Sequence, residues 1–194
     1  MASLNTQEYT QRVGLAPDNA TVRGLIFNAV FKLVEQKLGE ASATELRAQI
    51  AKKPLVDFFS YPARDFLKVL FDAGERLAPL YGSSQAAIRA CGAAAVGGFF
   101  LSGVGRTLTT IIGMGEPKKL FANAPTAYST AVSYGQRKFN VLGERRVSLH
   151  FKGDMQPVEF HQGMFEAALE GVGCPGKVDV RRIGLDEAEY LIEW

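Results

Sequence analysis

The chain has 194 residues, 47% apolar and 22% charged, with a net charge of +2. That apolar share excludes wholesale disorder, and the near-neutral balance argues against a nucleic-acid partner, which usually demands a strong basic excess. Two cysteines, Cys91 and Cys174, make neither a disulfide framework nor a metal knuckle, as expected in a reducing, cytoplasmic setting.

Met1–Thr10 is polar and lacks the charged start and apolar core of a signal peptide. Val22–Leu38 carries apolar residues at three-and-four spacing, which predicts an amphipathic helix with Asp18, Asn19 or Thr21 as cap and Gly39 after its end. A second helix is expected after Ser42, through Leu46 and Ile50, ending at Pro54. Ser60 and Pro62 open a third, with Phe66, Leu67, Leu70, Phe71 and Leu77 on one face and Pro79 and Gly82 at its close. Ser83 or Ser84 caps a long central helix predicted to reach about Ile112. Within it, Ala90 to Gly105 carries no charge but is shorter and richer in glycine than the roughly 20 apolar residues of a membrane span. No membrane span is therefore expected, and Ala90, Ala94, Gly98 and Ser102 form a stripe of small residues for a neighbouring helix. A short helix follows Pro117.

Beyond Ser129 the period changes to that of strands. Tyr134–Leu142 and Arg145–Lys152 read as a hairpin, Glu159–Val172 as a helix, and Lys177–Ile183 and Glu189–Trp194 as two further strands. The expected fold is α+β: an N-terminal helical lobe, residues 1–130, packed on a C-terminal ββαββ antiparallel-sheet lobe, residues 131–194, in one compact domain.

Linear catalytic signatures are absent: there is no phosphate loop, no dinucleotide fingerprint and no nucleophile elbow. His150, His161 and Cys174 match no recurring zinc spacing, so no metal is expected. Arg106 is a lone cation after the uncharged run. It reads either as the anchor of an anionic ligand group or as the partner of a carboxylate such as Asp72. Tyr134 stands where the helical lobe meets the sheet. A pocket between the lobes would take Arg106 and Tyr134 as polar contacts and Phe99, Phe100 and Thr107 as its wall.

Val22-Arg23-Gly24-Leu25, Tyr61-Pro62, Gly103-Val104-Gly105-Arg106-Thr107 and the closing Tyr190-Leu191-Ile192-Glu193-Trp194 together resemble a myxobacterial paralogous family of proteins of about this length and unknown function. The tail is similar to the wider superfamily of heme-nitric-oxide-binding domains, four-vinyl-reductase-type domains and Golgi transport tethering subunits. That resemblance implies a helical lobe on a small antiparallel sheet, with a ligand cavity or apolar channel between. Its heme-binding branch takes a proximal histidine from a helix ahead of the sheet and holds the heme carboxylates with Tyr-x-Ser-x-Arg. Here Phe151, Gly153 and Met155 fall at those three places, and no histidine precedes His150, so no heme cofactor is expected.

The expectation is a non-enzymatic sensory, signalling or scaffold module that binds a small, largely apolar, fatty-acid-like ligand between its lobes. The alternatives are a protein-interaction or homodimerisation module with no physiological ligand, and an enzyme whose site has no linear signature.

Overall fold

The computed structural model describes residues 4–51, 53–101 and 115–194. The N-terminal part is helical: α1 (Leu4–Leu15), α2 (Gly24–Leu38), α3 (Glu40–Ala48), α4 (Ala63–Tyr81), α5 (Ser84–Leu101) and α6 (Pro117–Ala131). The remainder is β3 (Gln136–Gly143), β4 (Arg146–Lys152), α7 (Val158–Gly171), β5 (Lys177–Arg182) and β6 (Glu187–Glu193). These four strands form one antiparallel sheet in the order β3-β4-β6-β5. The architecture is α+β with the expected ββαββ tail.

Two N-terminal segments depart from expectation. Thr21–Arg23 is a strand, β1, pairing antiparallel with β2 (Ser60–Pro62), and Val22 also bridges to Val132. Helix α2 thus begins at Gly24, after Arg23, with no side-chain cap. A Cβ at Gly24 would lie 2.2 Å from the Val56 carbonyl oxygen, so the loop before β2 can rest directly on the start of α2. Helix α1, which the polar opening did not suggest, is held down by Arg12. This arginine is 1% exposed; its guanidinium donates to the carbonyls of Met155, Gln156 and Leu185 at 3.2, 3.1 and 2.7 Å. A buried cation is stable only when its donors are filled, and here three distant carbonyls and Glu8 fill them.

Helix α4 includes Pro79 and ends at Gly82, whose φ of 85° is the left-handed conformation of a helix C-cap. In α5 the fully packed face is Ala87, Ile88, Cys91 and Ala95, while Ala90 and Ala94 are half-buried. The tightest crossing is with α7. A Cβ at Gly92 would sit 1.8 Å from the Phe160 carbonyl oxygen, and one at Gly163 would sit 1.9 Å from that of Arg89. The predicted stripe is therefore offset from the contact, since among the described residues Gly98 meets only the Ala29 Cβ at 3.7 Å. Ser102 and the expected continuation of the helix to Ile112 lie outside the described residues.

The sheet turns Val147, Leu149, Phe151, Tyr190 and Ile192 into the core, with Leu149 opposite Tyr190 and Val147 opposite Ile192. No helix among the described residues is long and apolar enough to cross a membrane.

Candidate functional site

Polar side chains converge where α6, α7 and the sheet meet. His161 lies in the first turn of α7 with no exposed surface. Its Nε2 is 2.5 Å from the Tyr128 hydroxyl on α6, and its Nδ1 is 3.1 Å from the Tyr190 hydroxyl on β6. Asp154, in the turn after β4, places Oδ1 3.5 Å from Nε2. Its other oxygen accepts from the Arg137 guanidinium at 2.6 Å, and both members of this pair are 5% exposed or less. Arg137 lies 4.0 Å from the centre of the Tyr128 ring and 5.1 Å from that of Phe151, so the cation is screened by aromatic faces. Phe151, Phe160 and Phe165 enclose the imidazole, with ring centres 5.1 to 6.4 Å from it.

The electrostatics follow from burial. Loss of water lowers the His161 pKa to about 4, against which the Asp154 carboxylate works only in part. The imidazole is neutral near pH 7 and carries one N–H. One nitrogen therefore donates to one tyrosine oxygen while the other accepts from the second tyrosine. Burial, then the Asp154 charge, also raises the pKa of Tyr128 and Tyr190 well above the usual value. The centre is two neutral phenols on a neutral imidazole beside one closed ion pair. With both nitrogens taken and no surface, His161 can neither bind a metal nor accept a substrate proton without breaking a hydrogen bond.

Of the site residues expected from sequence, the structure places one in this centre's margin. Tyr134 is half-buried just before β3; its hydroxyl accepts from the Gln156 amide and its carbonyl accepts from Arg137 at 2.7 Å. Phe99 and Phe100 belong to α5, and Arg106 and Thr107 lie outside the described residues. Asp72, the carboxylate suggested for Arg106, pairs with Arg76 at 3.1 Å and accepts from Gln49. His150 pairs with Glu187 at 2.9 Å on the sheet, far in role from His161. Among the described residues no group of three or more His, Cys, Asp or Glu side chains could hold a metal ion. Cys91 is fully buried and its thiol is pushed up to about 12, so it is packing material.

In the sequence His161 enters only as a member of a set that matches no zinc spacing. The signal that finds it is periodic: 161, 165, 168, 169 and 172 share one helical face, and the other four are buried apolar residues.

The fold is similar to solved H-NOX structures. One is an H-NOX protein from S. oneidensis in the Fe(II)NO ligation state, with TM-score 0.69, 17% identity, and 88% of this chain and 98% of that chain covered. Another is the Fe(II) unliganded H-NOX protein from K. algicida, with TM-score 0.67, 14% identity, and coverage of 88% and 95%. A third is the IWP-051-bound H-NOX from Shewanella woodyi, with TM-score 0.65, 12% identity, and coverage of 88% and 93%. No curated protein matches the chain. The pattern of the family described as "Protein of unknown function (DUF2378)" matches residues 17–194, and the chain belongs to that family.

Proposed function

We propose that the protein is a non-enzymatic sensory or scaffold module of H-NOX-like fold that works without heme and binds a small, largely apolar ligand between its helical part and its sheet. The observation that carries the heme-free part of this reading is the closure of His161 by Tyr128 and Tyr190 inside a shell of phenylalanines. The residues present do not fit heme. Helix α6, ahead of the sheet, has no histidine and buries Phe121 and Tyr128 instead. At the three places where the heme-binding branch has tyrosine, serine and arginine, Phe151 is packed in the aromatic shell, Gly153 has φ +69°, and Met155 is 2% exposed. None of the three offers a side-chain hydrogen bond to a heme carboxylate.

The ligand reading rests on sequence chemistry. Ala90–Gly105 is an uncharged run followed by Arg106, which suits an apolar tail along Phe99, Phe100 and Thr107 with an anionic head on Arg106, and Tyr134 as second polar contact. A cytoplasmic, homodimeric signalling protein is part of the same proposal. The second reading, a protein-interaction module with no ligand, draws support from the junction itself. Its described part is filled by rings, with Phe151, Phe165 and Tyr190 centred 5.1 to 5.7 Å apart.

Binding of cis-parinaric acid, followed by its fluorescence, separates the two. The ligand reading expects uptake at micromolar concentration and a normally folded Arg106→Met variant that binds about tenfold more weakly, near 1.4 kcal/mol. Absence of uptake by the wild type would favour the interaction module.

A further inference from the structure

The loop from Leu55 to Phe59, between α3 and β2, presents an apolar tip. Phe58 and Phe59 are 72% and 63% exposed and Val56 is 49% exposed, a concentration of bare apolar surface that isolated surface residues do not make. The rings sit on a fixed backbone. Every carbonyl from Leu55 to Phe59 accepts a hydrogen bond: Leu55 from the Asn28 amide, Val56 from the Phe59 N–H, Asp57 from the Leu25 N–H, Phe58 from the Arg23 guanidinium, and Phe59 from the Gly24 N–H. The Val56 N–H donates to the Tyr61 hydroxyl, and the Asp57 carboxylate is drawn back to the Asn28 amide at 2.7 Å.

We propose that this loop is a peripheral membrane contact in which Phe58 and Phe59 enter the interface of a bilayer containing anionic lipid. Three features select lipid. A loop enters apolar surroundings at lower cost the more of its backbone polar groups, N–H as well as C=O, are already paired. All five carbonyls of this loop, and the N–H groups of Val56 and Phe59, are paired within the protein. A rigid tip also loses little conformational entropy on docking. Finally, the exposed cations Arg23 and Lys53 flank the tip and outnumber its one carboxylate, Asp57, which is held by the Asn28 amide. Each such cation is attracted to an anionic leaflet, and the attraction weakens with salt. The contact requires no spanning helix.

Co-sedimentation of the full chain with phosphatidylcholine vesicles holding about 30% phosphatidylglycerol tests this. The wild type should bind; Phe58→Ser with Phe59→Ser should lower the binding constant about tenfold or more. The Lys53→Glu variant should weaken binding to these vesicles at low salt. Both rings are exposed, so the double variant should keep the wild-type melting temperature, which separates lost docking from lost folding. Failure of the wild type to bind at roughly millimolar lipid, or equal binding by the double variant, overturns the proposal. So does a self-association that the double variant abolishes without any vesicle binding, because the tip would then be a protein contact.

Discussion

The Tyr128 hydroxyl lies 2.5 Å from Nε2 of His161, joining the last helix before the sheet to the helix inside the ββαββ tail. Because Tyr190 holds the other nitrogen from β6, one imidazole ties three elements together without a net charge. That neutrality has a pH consequence. The folded His161 has its pKa lowered to about 4 from 6.5, so between those values the unfolded state binds a proton that the folded state does not. Stability from this residue is complete above about pH 6.5 and is lost as pH falls towards 4, by up to about 3 kcal/mol. Urea unfolding at several pH values should show this loss in the wild type. A His161→Gln variant, which cannot titrate, should lack that part of the slope.

The phenols titrate in the opposite direction. Tyr128 and Tyr190 have raised pKa values in the fold, first through burial and then through Asp154, so their contribution is present below the ordinary value near 10 and lost above it. Burial and Asp154 raise Tyr134 in the same way, so an alkaline absorbance titration at the phenolate band should show these three of the six tyrosines ionising only as the protein unfolds. Tyr128→Phe should remove one of the late-titrating groups.

The crossing of α5 and α7 should be intolerant of a single methyl group. Gly92→Ala places a carbon 1.8 Å from the Phe160 carbonyl oxygen, a backbone atom that cannot step aside. The expected cost is at least about 3 kcal/mol. Gly97→Ala in the same helix, with no described residue within 4 Å of its Cβ, should instead stabilise by about 0.5–1 kcal/mol. Equal denaturation midpoints for the two variants would contradict this packing.

Asp154→Asn should be more harmful than its small change in shape suggests. It removes the carboxylate partner from Arg137, whose side chain is 4% exposed, and leaves a buried cation against aromatic rings. Breaking a buried pair in this way costs about 3–5 kcal/mol. Thermal unfolding should register the loss, and Arg137→Met in the Asp154→Asn background should recover part of it.

The regular elements were legible because burial imposes their period. Val147, Leu149 and Phe151 alternate on β4, and Phe66, Leu67 and Leu70 recur on α4, each set facing one core. Strand β1 was hidden because Val22 also fits the spacing of α2, and only its partners Tyr61 and Val132, distant in sequence, make it a strand. Helix α1 was hidden by Arg12, a buried position occupied by a charge whose carbonyl partners lie more than 140 residues away. The polar centre was hidden for the same reason. Tyr128, Asp154, His161 and Tyr190 come from separate elements, and no local spacing relates them. Only the place of His161 on an apolar helix face marks it in advance.

The most direct test is an absorbance titration of the purified protein with hemin. Closure of His161 by two tyrosines, with Phe151 in place of the motif tyrosine, predicts no Soret band beyond that of free hemin, in the wild type and in His161→Gln alike. A sharp stoichiometric Soret band that His150→Ala or His161→Gln abolishes would contradict the account and return the chain to the heme-binding proteins whose fold it shares.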